Sequence, residues 1–298
     1  MTKNILVIFL VCLFCHRSIG QECKGAPQFI AALGFDPNRS AISTTELKVM
    51  GAVLIELEDV RNTNSRRTKT YQDPSWKSAG YLGAVTSDQK GNIFVIPKPN
   101  VNMLYNLPKD QNTIYRIESK SGKMKSFVKL PMKILPHERN PYGLTGSFLD
   151  CHNNDLIVST LAGSDQKHEI GMVYAVNSLT GEYFEILNNL DVLGLGISNI
   201  RGERKLFLGL ARKSEVWSIL LDAKNLAIGK PKLEINLSGL GPRGDDRIRK
   251  IRFQQNGSMD LTGITFYYNL TAPVNAAETV YNFSFNESTN SWKLTGVR

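Results

Sequence analysis

The sequence has few cysteines and no hydrophobic run long enough to cross a membrane. Two of its four cysteines, Cys12 and Cys15, lie in the apolar run near the start, and the other two, Cys23 and Cys151, form no Cys-x-x-Cys pair, which argues against a cysteine-held zinc site in the rest of the chain. The longest apolar run, residues 5–15, is far shorter than the roughly 20 residues that a transmembrane helix needs. The chain also lacks a Gly-x-Ser-x-Gly elbow, a His-Glu-x-x-His helix and a phosphate-binding loop. The common hydrolase and nucleotide-binding motifs are therefore missing.

The apolar run at the start has the pattern of a secretory signal peptide. A lysine precedes it and small residues follow it, which predicts cleavage near Gly20. We interpret residues 1–20 as a signal peptide, the alternative being an uncleaved anchor, and residues 21–298 as one domain, monomeric and secreted or periplasmic. Cleavage would leave Cys23 and Cys151, which an oxidising compartment could join. The sequence cannot show whether the two approach each other.

The chain is basic, with a formal net charge of +9. Loss of Lys3 and Arg17 with the leader would leave 34 basic residues against 27 acidic ones. These charges are scattered into short clusters at residues 66–69 and 247–252, without a basic stripe interleaved by aromatic residues. Nucleic acid is therefore not an expected partner.

A pattern of four strand-sized segments recurs along the chain. Each unit has an apolar inner strand, a strand after a Gly/Asn turn, a strand centred on an aromatic residue, and a more polar outer strand. Alternation of period two between Gly, Asn and Asp turns predicts strands throughout. The third strands align on Tyr115, Tyr174, Trp217 and Tyr281, with residues 51–59 as the earliest member.

Four-stranded repeats of about 50–60 residues are typical of a β-propeller, whose blades bury their faces against one another. Five units fill the chain from Gln28 to the end. The sequence therefore predicts an all-β fold, a β-propeller of five four-stranded antiparallel blades. Six blades is the alternative count, and a β-sandwich would leave the recurring strand order unexplained.

The longest predicted loops share one face of this propeller. Loops between second and third strands emerge beside the connections between blades, and both kinds are long here, whereas the other turns are short. Long loops on a rigid scaffold commonly carry function, so we expect a ligand on this face. The candidate ligand-binding residues are Lys98, Asn100, Tyr105, His137, Asn140, Tyr142, His168, Arg243 and Arg247.

Asp245 and Asp246 are adjacent acids immediately before a predicted inner strand. They suggest a calcium site, because hard cations prefer oxygen ligands. Alternatively, Arg243 or Arg247 pairs with these acids and fixes the loop. His137 and His168 each precede a glutamate and could act as an acid or base, but a surface histidine beside an acid is usually solvated. No catalytic residue is assigned. The candidate metal ligands are Asp245, Asp246, Asn140 and Asn199.

Several sequence segments resemble those of a known protein family. GAVTSDQKGNIFVIP and NTIYRIESKSGKM resemble exported propellers of the gluconolactonase and strictosidine-synthase-like superfamily. NPYGL, GMVYAVNSLTGE and GLGPRGDDRIRKIRF resemble a group of uncharacterised exported propeller proteins of Gram-negative bacteria. For the lactonase branch, the resemblance implies a metal held by a Glu, two Asn and an Asp, with Asn140, Asn199 and Asp245 or Asp246 as counterparts. The Glu-Gly-Pro entry motif is missing, and residues 73–76 are its nearest match.

Two functions remain open. The first is an exported non-catalytic propeller that binds a protein, a glycan or a small ligand on its loop-rich face. The second is a Ca²⁺-dependent lactone or ester hydrolase of the gluconolactonase-like type, in which the metal polarises a carbonyl and activates water. A rise in melting temperature with Ca²⁺ would favour the second function.

Overall fold

The computed structural model describes residues 25–45, 49–59, 66–100, 102–270 and 277–298. Within these ranges, strands β1 to β19 form five antiparallel sheets that follow one another along the chain. The sheets are the blades of a five-bladed β-propeller, which confirms the predicted fold class. The predicted signal peptide and Cys23 lie outside the described residues. No helix in the described part of the chain has the length and apolar character needed to cross a membrane.

Blades 2 to 5 have the predicted four strands each, hydrogen-bonded in chain order. Blade 2 comprises β4 (Leu82–Ser87), β5 (Ile93–Pro97), β6 (Thr113–Ile117) and β7 (Met124–Lys129). Blade 3 comprises β8 (Leu144–Asp150), β9 (Asp155–Thr160), β10 (Met172–Asn177) and β11 (Tyr183–Asn188). Blade 4 comprises β12 (Val192–Ile200), β13 (Glu203–Leu210), β14 (Glu215–Leu221) and β15 (Ala227–Asn236). Blade 5 comprises β16 (Arg247–Phe253), β17 (Met259–Ile264), β18 (Thr279–Asn286) and β19 (Ser291–Val297).

Blade 1 has three strands in the described residues. These are β1 (Ser40–Ser43), β2 (Val53–Leu57) and β3 (Arg67–Tyr71), with β2 in the middle. A short helix, α1 (Gln28–Ala32), precedes β1 at the point in the repeat where the pattern calls for an inner strand. Phe29 and Ile30 of this helix are buried in the cluster between blades 1 and 2. The helix therefore supplies apolar side chains to this junction.

Irregular pairing recurs at the same place in each complete blade. Pairing with the second strand shifts near the start of every inner strand, for example between Val192 and Gly194. Such bulges bend a strand and increase its local twist. Gly194 also permits close contact between blades, because a Cβ there would lie 2.6 Å from the carbonyl oxygen of Ile248. The repeat seen in the sequence is therefore a repeat of backbone geometry.

Four hydrophobic clusters join consecutive blades. They link blade 1 to 2, 2 to 3, 3 to 4 and 4 to 5. Within the described ranges, no such cluster joins blade 5 to blade 1. Each junction is built from alternate residues of facing sheets, as in Ile157, Leu195 and Leu208 between blades 3 and 4.

All long connections emerge on one side, which we call the loop face. A parallel bridge between Gly51 and Tyr81, just before β2 and β4, shows that these strands start on the same side. In blades 2 to 5 the turns on the opposite side have only two to six residues. The loop-face connections of ten residues or more are 72–81, 98–112, 130–143, 161–171, 237–246 and 265–278.

Candidate ligand-binding face

The loop face presents several exposed apolar side chains. Six of the fourteen exposed large apolar residues in the described part of the chain lie on its long connections, and they are 49% to 69% exposed. Three of them, Leu104, Tyr105 and Leu107, lie close together on one connection. The six residues are Leu104, Tyr105, Leu107, Ile134, Leu135 and Tyr267.

The connection 98–112 is held firmly despite its exposed tip. The buried side chain of Asn106 donates hydrogen bonds to the carbonyls of Tyr81 (2.8 Å) and Ala79 (3.2 Å). Its Oδ1 accepts from the amide of Tyr81 at 3.2 Å. Tyr105 packs edge-on against Tyr81 with ring centroids 6.1 Å apart. Leu104, Tyr105 and Leu107 border a shallow groove of about 220 Å³ and are presented from an anchored loop.

An aromatic cluster lies on the loop face where connections of blades 3 and 5 meet. Phe266 contacts Tyr142 and Tyr268, with centroid separations of 5.6 and 5.3 Å. Leu161, from blade 3, belongs to the same cluster. Tyr142, predicted as a ligand contact, is half-buried in this packing. Burial also raises the pKa of the Tyr142 hydroxyl. Tyr142 therefore packs one connection against another.

Asp191 is the centre of a buried network that the sequence analysis missed. Its carboxylate accepts hydrogen bonds from Ser164 Oγ (2.5 Å), the Gly171 amide (3.0 Å) and Arg212 Nε (3.0 Å). It also accepts from the hydroxyl of Tyr268. Burial, followed by this hydrogen bond to a carboxylate, raises the pKa of Tyr268 well above its ordinary value. The network ties connections of blades 3, 4 and 5 together.

His168 lies at the edge of this network. Its backbone carbonyl accepts a hydrogen bond from Arg212, and its exposed ring contacts the carboxylate of Asp165 at 3.1 Å. Hydrogen bonds from the His168 ring and from the amides of His168 and Lys167 hold the pKa of Asp165 well below its usual range. The neighbouring Glu169 accepts from the amide of Asp191 at 2.8 Å. These contacts stabilise the connection 161–171.

The carboxylate of Asp246 is already engaged by side chains of blade 5. It is fully buried and accepts from Arg243 Nε (2.5 Å), Arg243 Nη2 (2.9 Å) and the Tyr281 hydroxyl (2.8 Å). Burial alone would raise the pKa of Asp246, but these hydrogen bonds outweigh it and the pKa lies below the ordinary value. The alternative in which an arginine pairs with an acid and fixes the loop is therefore the arrangement found.

The predicted metal ligands do not come together. Asn140 Nδ2 donates to the carbonyls of Leu161 (2.7 Å) and Ser164 (2.6 Å), and its Oδ1 accepts from the Tyr142 amide (3.1 Å), so its amide is also occupied. Asn199 lies near the end of β12, beside the short turn on the face opposite Asp246. Among the described residues no group of three or more His, Cys, Asp or Glu side chains could hold a metal. The four candidates thus do not form one coordination site in this structure.

Other predicted contacts serve the loops themselves. Arg247 donates to the Ala211 carbonyl (3.1 Å) and to Ser214 Oγ (2.7 Å), which links blade 5 to blade 4. His137 pairs with Asn140 through both backbone groups at 2.9 Å, and Asn100 forms a backbone bridge to Asn102. Of the predicted residues, Lys98 and Tyr105 are exposed on this face without such an anchoring side-chain role in the described residues.

Asp73, in the nearest match to the missing entry motif, has a structural role. It precedes a 3₁₀ turn at Pro74–Lys77 and accepts from the Ser75 amide at 2.9 Å. Lys123 Nζ lies 2.8 Å from its carboxylate. Burial opposes ionisation of Asp73, but the bonds from Lys123 and Ser75 lower its pKa to about 2. Asp73 therefore anchors the connection between blades 1 and 2.

No protein family model matches the chain, and no curated protein is similar to it in sequence. Solved structures are similar in fold. A calcium-binding protein, regucalcin, from Agrobacterium tumefaciens is 13% identical with a TM-score of 0.55, covering 94% of this chain and 73% of its own. A putative 6-phosphogluconolactonase from Bacteroides fragilis is 12% identical with a TM-score of 0.45, covering 83% and 64%. At such identity the likeness shows the propeller fold alone.

Proposed function

We propose that this chain is an exported, non-catalytic β-propeller that binds a protein partner on its loop face. The observation that carries the proposal is the group of exposed apolar side chains Leu104, Tyr105 and Leu107 there, on a connection that is anchored by buried hydrogen bonds. A rigid surface loses little conformational entropy on binding, and aliphatic and aromatic anchors supply most of the energy in protein interfaces. A glycan or a small ligand would need fewer exposed aliphatic groups than Leu104, Leu107 and Leu135 provide.

Export is supported by the state of Cys151. This residue is disulfide-bonded, and disulfides persist mainly in oxidising compartments. The chain's other cysteines, at positions 12, 15 and 23, lie outside the described residues. The bond agrees with the leader-like start of the chain, and both features favour a secreted or periplasmic protein.

The calcium-dependent hydrolase has less support. Its lead ligand, Asp246, already accepts three hydrogen bonds from Arg243 and Tyr281, so a metal would have to displace them. We therefore expect millimolar Ca²⁺ to leave the melting temperature unchanged. A rise that Asp246→Asn abolishes would favour the hydrolase instead.

The test is capture of an exported partner by the mature protein, with cross-linking to locate the contact. The double variant Leu104→Ser/Leu107→Ser removes two exposed anchors of the loop face. The matched control, Leu179→Ser/Leu226→Ser, removes two similarly exposed leucines from turns on the opposite face. We expect the wild type and the control to retain the same partner, with cross-links to residues 98–112, and the loop-face variant to lose it. Retention by all three proteins, or the lack of any partner cross-linked to this face, would contradict the proposal.

A further inference from the structure

Blade 5 buries only one of its two faces in the described structure. Met259, Leu261 and Tyr281 point towards blade 4 and are fully buried. The residues that alternate with them, such as Thr262 and Asn282, are only partly buried. Terminal units of repeat proteins commonly have such a polar outer face. The side of blade 5 that faces away from blade 4 is therefore polar.

Basic side chains from two blades meet near the inner strands on this side. Ile248, Ile251 and Phe253 of β16 pack towards blade 4. Because side chains alternate along a strand, Lys250 and Arg252 point the other way. Lys98 approaches from blade 2, where its stem lies against Gly83 of β4, at 3.1 Å from an ideal Cβ position. Blade 1 lies between these two blades, and its sheet has three strands in the described residues. We call the group formed by Lys98, Arg249, Lys250 and Arg252 the cationic cleft.

These cations are close enough to repel one another. Burial lowers the pKa of Lys250 to about 8, although its side chain is exposed, and the charges of Arg249, Arg252 and Lys98 add to the shift. Burial and the charge of Arg249 likewise lower the pKa of Lys98. Both lysines are exposed to solvent and close to other basic side chains.

Few acids balance this charge. Glu278 forms an ion pair with Arg249, whose Nε is nevertheless buried without a hydrogen-bond partner. Asp260, on β17, bonds instead to Gln254 (2.8 Å) and Asn282 (2.6 Å) and lies 3.9 Å from Arg298. Within the described residues, Lys98, Lys250 and Arg252 form no ion pair. The cluster thus costs stability unless an anion joins it.

We propose that the cationic cleft binds a multivalent oxyanion, such as a ligand that carries phosphate or several carboxylate groups. An oxyanion would relieve the repulsion among the four cations and accept hydrogen bonds from lysine and arginine donors. The cationic cleft includes none of the exposed apolar residues of the loop face, although Lys98 begins the connection that carries three of them, so it adds a small-molecule site to the proposed partner-binding function.

The test is thermal unfolding and titration calorimetry at pH 7 with pyrophosphate and with citrate, each compared with NaCl at equal ionic strength. Lys250→Met removes a central charge with little change in length. Lys230→Met, on an exposed stretch of β15, is the matched control. We expect at least one oxyanion to raise the melting temperature of the wild type and the control beyond NaCl. Lys250→Met should weaken the affinity by about tenfold, which corresponds to one lost charge contact of roughly 1.4 kcal/mol.

The outcomes separate the possibilities. A response to pyrophosphate alone would identify phosphate, and a response to both would identify oxyanions in general. No response beyond NaCl, or an equal response from both lysine variants, would overturn the proposal. If Lys250→Met does not fold, Lys98→Met gives the same comparison from the other blade. The loop-face variant Leu104→Ser/Leu107→Ser should keep the oxyanion response, so the two proposals can fail separately.

Discussion

Two buried aspartates occupy equivalent positions immediately before inner strands. Asp191 precedes β12 and Asp246 precedes β16, and each accepts hydrogen bonds from an arginine and from a tyrosine hydroxyl. The sequence drew attention to Asp246 because it belongs to an acidic pair. Asp191 stands alone between Leu190 and Val192, and only the alignment of the repeats marks it. Arg243 is three residues from Asp246 and was one of the partners that the sequence suggested. Tyr281, Tyr268 and Arg212 are distant in sequence from the aspartates that they contact, so no local pattern could identify them.

Replacement of Asp246 should destabilise the protein strongly. Asp246→Asn leaves the charge of Arg243 without its buried partner, which typically costs about 3 kcal/mol in the free energy of unfolding. The pKa of Asp246 is depressed in the folded state, so its contribution is present above the ordinary carboxyl value of 3.8 and is lost as the pH falls below it. In urea unfolding, the free energy of unfolding of Asp246→Asn should lie far below that of the wild type at pH 7, and the difference should be smaller at pH 3.

The neighbouring Asp245 is the control for this comparison. Its side chain is exposed, so Asp245→Asn should change the free energy of unfolding by less than about 0.5 kcal/mol. If the two asparagine variants were equally stable at pH 7, the Arg243 and Asp246 pair would not stabilise the fold.

The charge of Lys250 should lower the stability of the folded protein, whereas that of Asp246 raises it. Its pKa is lowered to about 8 in the folded protein, so the charged form is disfavoured there relative to the unfolded chain, where the pKa is 10.5. The unfolded state therefore binds more protons between pH 8 and 10.5, and the stability of the wild type rises over that range. Lys250→Met should have a higher melting temperature than wild type at pH 7 without added anion, and the difference should shrink towards pH 10. A variant that is less stable at pH 7 would mean that the lysine packs favourably.

At the level of elements, the turns and alternating runs predicted strand order well. The third strands found by their aromatic residues are β6, β10, β14 and β18, and the run at residues 51–59 contains β2. Helix α1 was missed because five residues are too few for a 3.6-residue period to appear. The long loops were predicted from topology. Their internal contacts, such as Tyr268 reaching Asp191 from another blade, depend on tertiary packing that no local pattern encodes.

The disulfide of Cys151 should join it to Cys23. The amide of Gly25 donates to the Asp88 carbonyl at 2.9 Å, and Gln89 in the same turn donates to the Cys151 carbonyl at 3.2 Å. Position 23 is two residues from Gly25, a distance of at most about 7 Å along the chain. Peptide mapping of the unreduced mature protein should give one linked peptide that contains both cysteines, and reduction should lower the melting temperature. A free thiol at position 23 would contradict this pairing.

At the level of the whole molecule, four hydrophobic junctions hold five blades in sequence. Blades 2, 3 and 4 each contribute to two of these clusters, whereas blades 1 and 5 each contribute to one in the described residues. The loop face and the cationic cleft draw their residues from several blades. Both would be lost if blades moved apart, so binding at either place should stabilise the arrangement as a whole.

The three-stranded sheet of blade 1 has one more consequence. Blades 2 to 5 each have four hydrogen-bonded strands. In the described residues, the sheet of blade 1 has only three, and no strand pairs with the outer edge of β1. Local opening should therefore begin in blade 1 and spread from there, while blades 3 and 4 exchange their amide hydrogens last. Blade 1, which is expected to open first, is thus next to the basic residues of blades 2 and 5. An anion bound to those residues would stabilise the least stable part of the propeller.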